Sequence, residues 1–379
     1  MEYIKLNELC EINIGKTPSR NKSIYWGSGN KWLSISDLKE KYISKSKEEI
    51  TDIAVEESNM KLVPKDTVIM SFKLSIGKVA ILKEDMFTNE AIANFKIKDK
   101  SLIIPEYLYY SLKTLNFDNT DRAVMGATLN KSKLNDIKIP YCNIETQKKI
   151  VEVLDKAQEL IYKRKEQIEA LDELVKSRFI DMFGDPVINP MNWEVKRVID
   201  VCDCMVPGRD KPKSFTGNTP WITIEDLSVN SITYQSKSNL GLTEDEISEV
   251  KRKKVPKDSV LMSCVGNLGI CSIAGTEVII NQQLHSFQCK DINNFFLMYY
   301  LGFRKDYMTS QASSTTVLYM NKTVCNSIPV YLPPIELQNQ FADFVNKVDK
   351  LKSQMETSLK ELEDNFNSLM QKAFKGELF

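Results

Sequence analysis

The chain has 379 residues, with 51 Lys and Arg against 51 Asp and Glu, 42% apolar and 27% charged. That is enough apolar sequence for two or more cored domains, and a formal charge of zero is not that of a chain that grips phosphate backbones unaided. No stretch approaches the roughly 20 apolar residues of a membrane span, and Met1-Glu-Tyr-Ile-Lys5 has no charged region leading into an apolar one, so a cytoplasmic protein off the membrane is expected.

In chain order, the first distinct element is a basic loop interrupted by Gly and Pro, Gly15-Lys-Thr-Pro-Ser-Arg-Asn-Lys22, ahead of Trp32-Leu-Ser-Ile-Ser-Asp-Leu38. Val63-Pro-Lys-Asp66 reads as a turn feeding the strand-like run Thr67-Val-Ile-Met-Ser-Phe72. A shorter helix is expected at about Pro105 to Lys113. From Glu145 to about Phe179 there is no Gly or Pro. Leu154, Ile161, Ile168 and Val175 recur every seven residues there, with Ile150, Ala157 and Leu171 on the adjoining row, so the segment reads as a long amphipathic helix.

The same series then returns. A second basic loop, Pro207-Gly-Arg-Asp-Lys-Pro-Lys213, precedes Trp221-Ile-Thr-Ile-Glu-Asp-Leu227. Val255-Pro-Lys-Asp258 feeds Ser259-Val-Leu-Met-Ser-Cys264, and a short helix is expected near Asn294 to Phe303. From Glu336 to about Phe374, Phe341, Val348, Met355, Leu362 and Leu369 recur every seven residues, with Phe344, Leu351, Leu359 and Phe366 thickening the stripe. Rods of 35 to 39 residues are about 50 to 60 Å long at 1.5 Å per residue. Arg164, Arg178 and Ser358 fall on the inner row, so the pairing need not be a uniform coiled coil. Antiparallel packing of the two rods is the simplest arrangement, and each lying on its own domain is the alternative.

The matches fall at nearly constant offsets: 189 for Trp32 and Trp221, 192 for the two Val-Pro-Lys-Asp turns, Gly77 with Gly269 and Asn89 with Asn281, and 191 for Asn130 with Asn321 and for Ile144-Glu-Thr-Gln147 with Ile335-Glu-Leu-Gln338. This is a tandem duplication of a domain-sized α+β unit, well beyond the period of a solenoid. The expected division is 1–143 and 185–334 as globular domains, with 144–184 and 335–379 as helical spacers.

Catalytic constellations are scarce. Eight cysteines (Cys10, Cys142, Cys202, Cys204, Cys264, Cys271, Cys289, Cys325) are scattered without a CxxC pair, pointing to reduced thiols and not to a disulfide frame or zinc site. The single histidine, His285, lies in an alternating run and is expected to be a hydrogen-bonded structural residue. There is no phosphate loop and no GxGxxG, so no catalytic residue, bound cofactor or metal is assigned.

Binding is the better prospect. The central helical segment carries 8 basic and 9 acidic residues over 145–182 and looks like a solvated or protein-binding face. The basic loops supply Lys16, Arg20 and Lys22 in the first copy and Arg209, Lys211 and Lys213 in the second, residue types that contact phosphates and guanine edges. Lys73, Lys78, Lys131 and Lys133, and in the second copy Arg252, Lys253, Lys254 and Lys322, are further phosphate candidates, with ordinary solvated surface as the alternative. Tyr25, Trp26, Trp32 and Trp221 have rings that stack on bases, although Trp32 and Trp221 are expected to be core.

The layout resembles the DNA specificity subunit of type I restriction-modification systems. The resemblance covers essentially the whole chain and rests on Gly15-Lys-Thr-Pro-Ser-Arg20 with Tyr25-Trp-Gly27 and Trp32, on Trp221-Ile-Thr-Ile-Glu-Asp-Leu227, on Leu332-Pro-Pro-Ile-Glu-Leu-Gln338, on Arg178-Phe-Ile-Asp-Met-Phe-Gly-Asp-Pro186 and on Leu369-Met-Gln-Lys-Ala-Phe-Lys-Gly-Glu-Leu-Phe379. Tyr141-Cys-Asn-Ile-Glu-Thr-Gln147 departs from the usual Pro-Pro before the central helix, and the chain is slightly shorter than many relatives. The resemblance implies two mixed α/β target recognition domains in a non-catalytic subunit that reads a bipartite, asymmetric double-stranded DNA target. The helices, through Leu154, Ile161, Ile168, Val175, Phe341, Val348, Met355 and Leu362, would act as spacers and partner-binding segments for two methylation subunits. S-adenosylmethionine would be used by those partners, and ATP and Mg²⁺ by a restriction subunit. Leu332-Pro-Pro-Ile335 lacks the Asn or Asp of an amino-methyltransferase site, which agrees with that division. The alternatives are the target-recognition subunit of a combined restriction and methylation enzyme, and a helical scaffold that binds no DNA.

Overall fold

In both copies the Val-Pro-Lys-Asp turn feeds a buried strand. Asp66 and Asp258 sit in the left-handed region (φ 64° and 66°), which Asp tolerates better than most residues, and their N–H groups donate to the carbonyls of Leu82 and Ala274, both at 2.8 Å. The strands that follow, Val68–Ser71 and Val260–Ser263, are buried at every position, which is why they read as unbroken apolar runs. The computed structural model describes all residues except Leu74, 116–121, 124–125, 128–130, Arg209 and 315–316.

Each copy builds the same sheets. In the first, a five-stranded sheet runs in the order Cys10–Ile14, Ile92–Ile97, Val68–Ser71, Val79–Leu82, Tyr42–Ile43, with only the last pair parallel. In the second the order is Cys202–Met205, Leu284–Cys289, Val260–Ser263, Cys271–Ala274, Ile232–Thr233, again with one parallel pair at the end. Register repeats too: Cys10 faces Ile97, and Cys202 faces Cys289. A three-stranded sheet centres on Trp26–Leu33 in one copy and on Thr219–Ile222 in the other. The first strand of each copy closes on its last, Glu2–Lys5 on Lys138–Tyr141 and Glu194–Arg197 on Pro329–Leu332.

The short helices lie at Pro105–Lys113 and Asn294–Phe303, where the sequence places them. Proline at the first helical position opens one, and the Asn293 side chain caps the other. The Ile-Glu-x-Gln motif acquires a physical reason. Gln147 and Gln338 are fully buried. Their amide oxygens accept from the N–H groups of Ile104 (3.1 Å) and Asn293 (2.8 Å), and their NH₂ groups donate to the carbonyls of Leu102 and Cys142 in one copy and of Pro333 in the other. Each glutamine thereby ties the entry of a short helix to the start of a long one. The Cys142 carbonyl serves where the second copy uses Pro333, so the missing Pro-Pro does not alter the junction.

The long helices span Ile144–Phe183 and Ile335–Lys375. The chain forms two compact units, Met1–Arg164 with Ser358–Phe379, and Lys165–Thr357. In the first unit Ile150, Leu154 and Ile161 share a core with Tyr107, Tyr110, Phe366, Met370 and Phe374; the Tyr107 and Phe374 rings are 5.4 Å apart. In the second, Val175, Phe179 and Phe183 pack with Phe296, Phe341 and Val345, with Phe341 5.3 Å from Phe179 and 5.6 Å from Phe183. Further along, Asp172 pairs with Lys352 at 2.6 Å, so the two helices run antiparallel through this unit.

The seven-residue stripe is only partly buried. Leu154, Ile161, Val175, Phe341 and Val348 are buried, whereas Ile168, Met355, Leu362 and Leu369 are half-buried. Leu351, expected on the inner face, is 41% exposed, and Arg178 lies outside with its guanidinium 5.9 Å from the Phe344 ring. A straight α-helix drifts about 20° per seven residues, so the buried row moves to Val345, Phe366 and Met370. Ion pairs such as Glu152–Lys156 (2.6 Å) cover the outer face. Among the described residues no helix is long and apolar enough to cross a membrane.

Candidate nucleic-acid interface

Trp32 is buried, and its indole N–H donates to the Lys16 carbonyl at 3.1 Å, fastening the first basic loop to the three-stranded sheet. Gly15 makes the loop's close approach possible, because a Cβ there would lie 2.2 Å from the Thr88 and Asn89 carbonyls. The Trp26 ring meets Trp32 edge-on at 5.1 Å and its N–H donates to the Ser19 carbonyl. On this aromatic pair lies Arg20, 3.7 Å above Trp26, with its fork on Glu48 at 2.5 and 3.0 Å. The hydrogen bonds and charge of that pair hold the Glu48 carboxyl below its usual range. Lys22 is bonded to the Tyr25 hydroxyl (2.6 Å) and to Glu57 (3.0 Å). Lys16 is exposed and, among the described residues, has no carboxylate within ion-pair reach.

The second copy rebuilds the arrangement with different parts. Phe215 meets Trp221 edge-on at 5.8 Å, and the Arg252 guanidinium lies 5.3 Å from the Trp221 ring. Lys213 pairs with Glu249 at 2.7 Å as Lys22 does with Glu57. Glu246 anchors the loop, accepting from Ser214 Oγ (2.5 Å), Thr216 N (3.2 Å) and Thr243 N (2.9 Å), bonds that hold its carboxyl down at about 2. Lys211 and Lys253 are exposed, and Lys254 is paired with Glu244 (2.6 Å) and Glu277 (3.1 Å). Arg209 lies outside the described residues.

The remaining candidates are carried by other elements of the fold. Lys73 is half-buried beside Phe72. Lys78 is exposed on a cleft of about 720 Å³ shared with Lys41, Lys113 and Asp155. Lys131 and Lys322 open the short helices Lys131–Asp136 and Lys322–Asn326 and are exposed, and Lys133 is half-buried.

Sequence reasoning missed Phe215 as a partner of Trp221, although the offset of 189 that aligns Trp32 with Trp221 also aligns Trp26 with Phe215. It also missed the carboxylates that hold Arg20, Lys22 and Lys213, since these lie 28 to 36 residues away in the chain. Elsewhere, all eight cysteines are free, and burial pushes the Cys10 and Cys204 thiols up to about 12. No group of three or more His, Cys, Asp or Glu among the described residues could hold a metal ion.

Two copies of one fold, each with an edge-on aromatic pair beside a guanidinium, define a duplicated binding module. The family described as the type I restriction modification DNA specificity domain matches residues 1–170 and 190–364, and the chain belongs to that family. It is 26% identical over 406 aligned residues to the type I restriction enzyme MjaIX specificity subunit of Methanocaldococcus jannaschii, covering 99% of this chain and 92% of that one. It is 30% identical over 167 residues to the EcoR124I/EcoR124II specificity subunit of Escherichia coli, covering 41% and 40%. Among solved structures it shares its fold with a chain from work on complex assembly and conformational transition of the type I restriction-modification system (TM-score 0.63, 18% identity, 100% and 98% covered). It also matches the restriction-modification S subunit of M. genitalium (TM-score 0.54, 14% identity, 98% and 96% covered). The chain is thus a DNA specificity subunit of a type I restriction-modification complex, and its role is non-catalytic.

Proposed function

We propose that each globular half reads one half-site of a bipartite, asymmetric double-stranded DNA target, residues 1–143 reading one and 185–334 the other. The observation that carries this is the duplication at the level of contacts: each copy sets a guanidinium beside an edge-on aromatic pair, and a lysine of its basic loop is fixed by a glutamate of the following short helix. The candidate contacts are Lys16, Arg20, Lys22, Lys73, Lys78 and Lys131 in the first half, and Arg209, Lys211, Lys213, Lys254 and Lys322 in the second. Ion pairs such as Arg20–Glu48 are half-exposed and worth about 0.2–1 kcal/mol, so a phosphate or base edge can displace the carboxylate at small cost.

The helical segments 144–184 and 335–379 set the undefined gap between half-sites and hold two methylation subunits, with a restriction subunit joining the assembly. The partners would bring S-adenosylmethionine for adenine methylation, and ATP and Mg²⁺ for translocation and cleavage. A zero net charge suits a reader whose partners supply part of the basic surface. Replacing residues 1–143 with another recognition domain should change one half-site of the methylated motif and leave the other as it was. A change in both halves contradicts the division of labour.

A further inference from the structure

A guanidinium lies against Trp32 in one copy and against its counterpart Trp221 in the other, yet the two come from different places in the sequence. Arg20 leaves the basic loop to lie on Trp26 and Trp32. Against Trp221 the guanidinium belongs to Arg252, which follows the helix Glu244–Glu249. At the offset of 192 that aligns the neighbouring turns, Arg252 matches Met60, an apolar core residue. Packing at this position is therefore satisfied by an uncharged side chain, and the arginine needs another reason.

Arg252 is only 7% exposed. Its Nη2 donates to the Asp210 carbonyl at 2.5 Å, while among the described residues Nε and Nη1 have no partner. A buried guanidinium with unsatisfied nitrogens is in an unfavourable state, and a bidentate acceptor engages Nη2 together with Nη1 or Nε, so it takes the place of the Asp210 carbonyl. Its cover is slight. Residues 210–213 have no regular secondary structure, Asp210, Lys211 and Lys213 are exposed, and the Lys213–Glu249 pair holds the segment down. The exposed Lys251 and Lys253 flank Arg252 in the chain and Lys211 follows Asp210, whose carboxylate charge acts on Arg252; the lysines suit a phosphate backbone, while guanine O6 and N7 match the fork.

We infer that Arg252 reads a guanine edge in the second half-site, the 210–213 segment moving aside as DNA arrives and the Asp210 carbonyl giving way to the base. This rests on the recognition role proposed above. The test uses the chain co-expressed with its methylation partner in a methylation-free host, comparing wild type, Arg252→Met and Arg252→Lys by modified-adenine sequencing and by melting of the purified complexes. Arg252→Met should leave the first half-site and the gap intact and make one G·C position of the second half-site degenerate, its preference falling roughly 5- to 150-fold. Its melting temperature should not fall, because an unsatisfied buried charge has been removed. Arg252→Lys should loosen the same position, since an ammonium cannot form the fork. A wild-type motif in both variants overturns the assignment. So does a uniform loss of modification with a shallower salt dependence, the mark of a phosphate contact. So, too, does an Arg252→Met complex that fails to assemble while Arg252→Lys keeps the wild-type motif, which is the behaviour of a packing residue. Absence of any modified motif from the wild-type complex contradicts the recognition role itself, and the inference falls with it.

Discussion

His285 is wholly buried, with Nε2 3.1 Å from Asn326 Oδ1, and among the described residues nothing bonds its Nδ1. Burial is the main reason its pKa falls to about 4, and the nearby Lys322 charge adds to it against the Asn326 bond. The folded value lies below the ordinary 6.5, so the neutral ring's contribution is fully present above pH 6.5 and is lost as pH falls towards 4, at most about 3 kcal/mol. As the only histidine, it is the one side chain whose ordinary pKa falls between about pH 5 and 8, above the ordinary carboxylates. The wild-type melting temperature should drop between pH 6.5 and 4, and His285→Gln should flatten that part of the curve; an unchanged slope in the variant contradicts the assignment. At this scale the sequence was a fair guide to burial, since Trp32, Trp221 and His285 are core as expected. It was silent on partners: Glu48 and Arg20, or Arg252 and the Asp210 carbonyl, meet only after the chain has folded.

Elements were more legible than contacts. The short helices begin and end where Pro105, Asn294 and their apolar rows place them, and the long helices extend a few residues beyond the expected bounds. Strand order was not readable, because pairing such as Val68 with Phe95 joins segments that carry no mark of one another. The Ile-Glu-x-Gln match was visible without its reason, which is the junction bonds of Gln147 and Gln338. Gln338→Ala leaves the Asn293 N–H and the Pro333 carbonyl without their partner, and should cost about 1–3 kcal/mol in denaturant unfolding, with Gln147→Ala similar. A loss below about 0.5 kcal/mol, ordinary for a surface change, contradicts that role. The seven-residue stripe misled at Leu351 because periodicity was read as 3.5 residues per turn, whereas the helix turns every 3.6.

At the scale of the whole chain, the repeat offset near 190 held most of the information. It fixed the duplication, and the two copies share strand order, register, turns and buried glutamines. What the offset could not show is that the copies differ at their aromatic pairs, Arg20 over Trp26 and Trp32 in one and Arg252 over Trp221 in the other. Under the proposed division of labour, two halves that share a frame but not a guanidinium source suit two different half-sites. The most direct measurement is single-molecule sequencing of genomic DNA from a methylation-free host that expresses this chain with its neighbouring methylation gene. The expected result is modified adenine within a new split motif, two defined half-sites of different sequence separated by an undefined gap. No modified motif, with both proteins folded and co-purifying, would contradict the account.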